Sequence, residues 1–594
     1  MPEADHARAG AGQGAADGDA GTRMAHLTAT RSARSRLIGY GLATVLALVT
    51  YFYGLDSQHI PKNGDEYPYE HITRMTAASG HWLPLQSELQ ELRNTKPPLL
   101  FWQGITSTGW GSNWSLWNLR WPSVIYTFLT AGMVFVLGWR LSGHTETGFV
   151  ALLTFLAFFS TYRYGRPFLT DAPSVFWLFV PCFAVLVRRD KVLASRLAAP
   201  LLLGAFTGIG LLYKSFALLL PVGLWFAWSY LRRSRDDVRT SLARDAGKLV
   251  ILGIVALTIF SLWFLLDPDP RAILTEFVFE ENAGKFAAQG GYIQNFFWGS
   301  SSIWRLVVSY PINAGLLMFP AIALFVVSFR RRAQLSEDEK LLWMWIITLF
   351  VVFSLPSQRD ERYLLPAMPA LAVLAALNWE HISRHAFSAS LVMTGIATMA
   401  LGYLSFQLDR SAFQGQLYSF GYWVLLTTTL VVIGISLAMP KLTRPLVNVA
   451  VLLGLLSFAA FFGPFDGARG TYGADVQALV RGRTVWVPTN FAAREEGHRF
   501  LLPGAAVRGY PLDSNLTAAE LARQYPLFAI RVPMNAPDVA IGRVLGRRID
   551  IATRQTSAQI VEMLRGKVFE YLFVRELLVE VTSHPVNQAS ETRE

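Results

Sequence analysis

Apolar residues arrive in runs of membrane-spanning length, separated by short polar stretches that carry most of the charge. Thirteen such runs fall near 37–55, 121–140, 147–163, 172–188, 197–213, 215–231, 249–266, 306–329, 341–356, 363–379, 387–408, 417–439 and 446–463. A hydrocarbon core about 30 Å thick needs ~20 apolar helical residues. The spacing therefore predicts a polytopic α-helical membrane protein of about 13 transmembrane helices.

The polar remainder divides the chain. Residues 1–35 are rich in Gly, Ala and Asp and lack apolar periodicity, with Arg31, Arg34 and Arg36 at their boundary, which reads as a disordered cytoplasmic tail before an anchoring helix. Residues 36–463 form the membrane domain, interrupted by long loops at 56–120 and 267–305, which are expected to hold helices along the interface and to roof a cavity. From 464 to 594 the pattern shortens. Strand-like runs at Thr484–Val487, Leu527–Val532 and Val568–Val574, with helix-like stretches at Ala518–Gln524 and Ser557–Leu564, predict a small soluble α/β domain. It holds no catalytic constellation and is expected to act as a cap or recruitment module.

Charge orients the bundle. The net charge of +11 sits largely in clusters between apolar runs, such as Arg188-Arg189-Asp190-Lys191, Arg232-Arg233-Ser234-Arg235 and Arg330-Arg331-Arg332. These obey the positive-inside rule and need no nucleic-acid partner. With the N-terminus in the cytoplasm, an odd number of spans places both long loops and the C-terminal domain outside. The single cysteine, Cys182, lies in an apolar run, so no disulfide framework or thiolate metal site is available. No Walker loop, dinucleotide glycine fingerprint or paired-His zinc motif occurs, which argues against a nucleotide-driven pump.

Chemistry-bearing residues gather in the outward segments. Asp65-Glu66 follows the first run, where charge is costly to desolvate. Asp171, in Thr170-Asp171-Ala172-Pro173, opens the fourth run and also reads as a helix-capping segment. Lys96 precedes Pro97-Pro98, which deny the local backbone a helix and present the ammonium at the lipid interface. Arg362-Tyr363, before Leu364-Leu365-Pro366, pairs a phosphate-binding guanidinium with a hydroxyl at the polar–apolar boundary. Lys214 and Lys285 add outward cations. Each of these also has an ordinary reading, as a cap or an interface anchor.

The order of these motifs resembles the lipid-carrier-dependent GT-C glycosyltransferases, specifically the bacterial 4-amino-4-deoxy-L-arabinose lipid A transferases and their protein O-mannosyltransferase relatives. The resemblance runs over about residues 37–380 and, through the span plan, to about 463. It implies that Asp65 is the principal catalytic carboxylate, that Glu66 shares its motif, and that Asp171 is a second acidic site residue. It also implies that Lys96 and Tyr363 contact a carrier phosphate, with Lys285 as a further basic ligand. Two departures stand out: Pro68 replaces the Arg usual in Asp-Glu-x-Arg-Tyr, and Thr95 stands where an acid often precedes Lys-Pro-Pro.

The expected function is inverting transfer of a sugar, with 4-amino-4-deoxy-L-arabinose the candidate, from a polyprenyl-phosphate donor to lipid A or another envelope acceptor on the periplasmic face of the bacterial inner membrane. Lys96, Lys285 and Arg362 would stabilise the departing phosphate, and Lys214 and Tyr363 would help bind it. Membrane lipids are the surrounding partner. No cofactor is specified by these residues, and a divalent metal is left open. The alternatives are transfer to a protein or polysaccharide hydroxyl and, from another class, transport of a lipid-linked sugar. Transporters place ligands near the bilayer midplane, often within internal repeats, whereas these candidates lie at one outer surface and no repeat is evident.

Overall fold

All thirteen apolar runs fold as helices in the computed structural model, which describes residues 35–60, 64–88, 93–233, 238–286, 291–411, 416–467, 469–490, 493–512, 516–534, 536–539, 541–552 and 556–581. The expected N-terminal tail lies outside the described residues. Among the described residues, eight helices are long and apolar enough to cross a membrane: Ser35–Phe52, Leu116–Ser142, Asp171–Ala194, Ala243–Leu266, Ile303–Arg330, Arg384–Arg410, Phe420–Ala438 and Thr443–Asp466. A ninth forms if Thr145–Ala157 and Phe159–Gly165, bent by 63° at their junction, make one span. The four other runs become Ala198–Leu211, Leu219–Arg233, Glu337–Ser354 and Met368–Leu377, which are shorter or, at Glu337-Asp338-Glu339-Lys340, begin with four charges. By length and composition alone the count is thus eight or nine, against the thirteen expected.

Local signals explain the helix limits. Ser115 accepts the backbone N–H of Asn118 to open Leu116–Ser142, and Gly143 closes it at φ 77°. Ser336 and Glu339 form a reciprocal capping box before Leu341 carries the next helix into the bundle. Small residues let helices meet. A Cβ at Gly138 would lie 2.9 Å from the Thr147 carbonyl oxygen, and one at Gly204 or Gly208 would lie 2.7 or 2.9 Å from the carbonyl oxygens of Leu252 and Ala256. In lipid this close van der Waals packing replaces the hydrophobic drive available in water.

Both long loops contain helices, as their patterning predicts. The first holds Glu66–Ser79 and Leu99–Ser107, the latter starting directly after Pro97-Pro98. The second holds Pro270–Ile273, a π-helical stretch Leu274–Asn282, a 3₁₀ turn Ala283–Phe286 and Tyr292–Trp298.

Beyond Asp466 the chain builds a five-stranded sheet from β1 (Thr484–Thr489), β2 (Ala506–Pro511), β3 (Leu527–Pro533), β4 (Arg543–Ile551) and β5 (Phe573–Glu580), in the order β2-β1-β3-β5-β4. β1 pairs in parallel with β2 and β3, and β5 runs antiparallel to β3 and β4. Helices Ala518–Gln524 and Ser557–Leu564 fall where expected. The run Val568–Val574 is a correction: Val568–Leu572 is helical and the strand begins at Phe573. The two strands that patterning missed, β2 and β4, are the sheet edges, where Arg and Gly interrupt the apolar alternation.

Candidate active site

A cavity of about 1460 Å³ opens where the two long loops meet the bundle. Its lining includes Asp65, Lys96, Lys214, Glu281, Lys285, Arg362 and Tyr363 together with Leu219, Leu220, Leu224, Leu249, Leu252 and Leu257. Cations thus share one cavity with an apolar, leucine-rich surface, a lining that suits an anionic head on a hydrocarbon tail.

Arg362 organises the acids. Asp360 accepts its backbone N–H at 2.9 Å and starts the 3₁₀ helix Glu361–Ala367, aiming the guanidinium across the cavity. There Arg362 Nη1 donates to Asp65, Nε donates to Asp171 Oδ2 at 2.8 Å, and the guanidinium lies 5.2 Å from the Tyr164 ring. Lys214 Nζ donates to the other Asp171 oxygen at 2.7 Å. Burial lowers the Lys214 pKa, with Asp171 opposing that fall. Asp171 itself is buried and does not line the main cavity; it positions Arg362 and Lys214, which do. Thr170 precedes the helix Asp171–Ala194 but makes no side-chain cap bond, so the anticipated capping role of this segment is not realised there.

Glu66 points elsewhere. It is fully buried, and both its oxygens are taken by Arg120, at 2.7 Å to Nε and 2.9 Å to Nη2. Arg120 also donates to the carbonyls of Leu55 and Ser57, and the Phe168 N–H donates to Glu66 at 2.8 Å. Glu66 thus ties the first loop to helix Leu116–Ser142 and to the segment before Asp171. Asp65, one residue earlier, is left exposed at the cavity mouth.

On the facing wall Lys96 Nζ and Lys285 Nζ both donate to Glu281 Oε1, at 2.6 and 3.0 Å. Burial lowers the Lys96 pKa, and Glu281 works against that fall. Glu281 was not singled out by motif; its one sequence signal is the four-residue spacing to Lys285 on a helical segment. Tyr363 completes the wall, its ring 5.5 Å from that of Phe353. The two sequence departures find partners in space. Arg362 and Arg120 neutralise the acidic pair beside Pro68, and Glu281 supplies the acid that Thr95 does not.

A second polar layer joins the first loop to the C-terminal domain. His59 lies between Asp466 (2.9 Å) and Asp550 (3.3 Å), and His71 Nδ1 meets Glu496 at 2.8 Å, with Arg74 gripping both Glu496 oxygens. Inside the domain Glu576 gathers Arg531, Arg548, His498 and Tyr472. His71, Glu495 and Glu496 approach closely enough for a shared metal ion, but their chemistry does not fit one. The Glu88 N–H donates to His71 Nε2 at 3.1 Å, so the ring proton resides on Nδ1, the atom a metal would need, and Arg74 already saturates Glu496.

Residues 27–274 match the family model described as dolichyl-phosphate-mannose-protein mannosyltransferase. Among known sequences, the chain is 26% identical over 350 residues to undecaprenyl phosphate-alpha-4-amino-4-deoxy-L-arabinose arabinosyl transferase 1 of Sodalis glossinidius, covering 57% of this chain and 58% of that protein. It is 28% identical over 342 residues to the enzyme of that name in Aeromonas hydrophila, covering 55% of this chain and 58% of the relative. The chain thus spans less than two thirds of the length of these relatives. Among solved structures it is similar to ArnT from Cupriavidus metallidurans bound to undecaprenyl phosphate, with a TM-score of 0.56 and 17% identity over 90% of this chain and 97% of that one. The apo form of the same protein gives 0.53 and 16% identity over 92% of this chain and 98% of that one. The motif resemblance to lipid-carrier GT-C glycosyltransferases is borne out, and the fold is of that type: a multi-pass membrane bundle with a small C-terminal sheet domain.

Proposed function

We propose that the protein is an inverting glycosyltransferase that moves a sugar from a polyprenyl-phosphate donor to an envelope acceptor at the outer face of the cytoplasmic membrane, with 4-amino-4-deoxy-L-arabinose as the sugar and lipid A as the acceptor. The observation that carries this reading is the convergence of Lys96, Lys214, Lys285, Arg362 and Tyr363 in one large cavity that is also lined by leucines. The leucines take the polyprenyl chain and the cations take its phosphate. The relatives' names and the undecaprenyl phosphate bound to the structural neighbour support the same carrier.

In the reaction an acceptor oxygen attacks the anomeric carbon as the bond from that carbon to the phosphate oxygen breaks, and the electron pair stays on the phosphate. Lys96, Lys285 and Arg362 stabilise that developing charge. Asp65, at the cavity mouth on a helix held by the Glu66–Arg120 pair, orients the acceptor when it is a phosphate, which has no proton to lose, and takes the proton when it is a hydroxyl. Asp171 positions Arg362 and Lys214. No step is routed through a metal, and the outer location of the C-terminal domain follows from the positive-inside orientation.

The test is sugar transfer by purified protein in detergent from a supplied polyprenyl-phosphate-aminoarabinose, with mass spectrometry of lipid A from cells with and without the gene. Full transfer by Asp65→Asn would overturn the reading. A missing sugar on a glycoprotein or polysaccharide, with lipid A unchanged, would replace the acceptor.

A further inference from the structure

Glu281 occupies the place where the carrier reading requires a phosphate. One of its oxygens receives the ammonium groups of both Lys96 and Lys285, from the first and second long loops. Burial would raise the Glu281 pKa, but Lys96 and Lys285 outweigh it and hold the carboxyl below its usual range, so it is ionised. The segment around it is anchored by other groups. The Glu276 carboxylate accepts the Asn94 N–H at 3.0 Å, the Asn282 side-chain oxygen accepts the Ser215 hydroxyl at 2.7 Å, and the Lys285 carbonyl accepts from the Ser357 N–H at 2.9 Å. A side-chain rotation of Glu281 therefore exchanges the lysines' partner without moving the loops.

We infer that Glu281 is a resident stand-in for the carrier phosphate, displaced from Lys96 and Lys285 when donor binds and recapturing them to expel the spent carrier. This rests on the carrier reading of the cavity. The charges explain why such a competitor is useful. The donor phosphate is a diester with one negative charge. Transfer breaks its bond to the sugar and leaves a monoester carrying ≈ −1.5 to −2 at pH 7. Charge-assisted hydrogen bonds from two part-buried ammoniums hold that product more tightly than the substrate, and product release limits many turnover rates. A carboxylate tethered beside the same lysines competes at high effective concentration in every cycle. It weakens the hold on substrate and product alike, which is worthwhile because the product is the tighter ligand.

The experiment measures binding of farnesyl phosphate to the full-length protein in detergent by calorimetry, beside steady-state transfer. Glu281→Gln keeps the shape and removes the charge; it is expected to bind farnesyl phosphate about tenfold more tightly, a change of about 1.4 kcal/mol. It is also expected to lower kcat and KM together and to strengthen inhibition by the spent carrier. Glu281→Asp keeps the charge on a shorter arm and is expected to fall between Gln and wild type, which separates competition from misfolding. Wild-type protein binding farnesyl phosphate through Lys96 and Lys285, with unchanged or weaker affinity in Glu281→Gln, would overturn this inference alone. Wild-type protein that fails to bind it, and is indifferent to Lys96→Ala and Lys285→Ala, would overturn the carrier reading and this inference together.

Discussion

Glu66 and Arg120 face each other in a fully buried two-pronged ion pair, with Nε at 2.7 Å from one carboxylate oxygen and Nη2 at 2.9 Å from the other. Removing one partner leaves the other charge desolvated and alone. Arg120→Ala is expected to cost about 3–5 kcal/mol, seen as a lowered unfolding temperature in detergent. Glu66→Gln is expected to lower both stability and transfer, because helix Glu66–Ser79 carries Asp65 at its start.

Asp171 sits one step behind the cavity. Asp171→Asn leaves Arg362 and Lys214 without their shared counter-charge and sets an amide NH2, which cannot accept, against one of the two cations; it is expected to reduce kcat/KM by about 10²-fold or more and to lower the unfolding temperature. Arg362→Lys is expected to lose as much, since an ammonium cannot bond Asp65 and Asp171 together as the guanidinium does.

The junction between the first loop and the C-terminal domain is expected to respond to pH at both ends. Burial lowers the His59 pKa, but the Asp466 and Asp550 carboxylates outweigh it and hold the folded value above the ordinary 6.5. Its stabilisation is therefore complete below pH 6.5 and is lost as pH rises through the folded pKa. For Glu496 burial is outweighed by bonds from His71 and Arg74, which lower its pKa from 4.5 to about 2. That contribution is present above pH 4.5 and is lost as pH falls toward 2. Thermal unfolding followed across pH checks both limbs. His59→Gln is expected to remove the alkaline limb and Glu496→Gln the acidic one.

Helix contacts at Gly204 and Gly208 leave no room for side chains. A Cβ at either position would press on a carbonyl oxygen of the neighbouring helix at 2.7 or 2.9 Å. Gly208→Val is expected to destabilise by about 1–3 kcal/mol, while the same change at Gly223, where a Cβ meets nothing, is expected to be mild. Unfolding of the two variants side by side is the check.

Much of this protein was legible along the chain, because bilayer thickness demands long apolar runs and these stand out from the polar stretches between them. All thirteen runs became helices, and Asp65, Lys96, Lys214, Lys285, Arg362 and Tyr363 converged on one cavity. The edge strands β2 and β4 were not legible, since their charged positions look like loop until Arg548 and Asp550 find Glu576 and Arg531 across the sheet. The motif resemblance put Asp65 ahead of its neighbour Glu66, but it did not say where either side chain points. Consecutive residues at the start of a helix point about 100° apart, so one faces the cavity and the other the buried Arg120. Glu281 had only its four-residue spacing to Lys285 as a signal for a related reason: its other partner, Lys96, is distant along the chain, and only the meeting of two loops makes a carboxylate the occupant of a cationic site. Composition and periodicity determined the bundle and the kinds of groups in its long loops. Which charge meets which, and hence which acid reaches the cavity, depended on long-range contacts that only the folded chain provides.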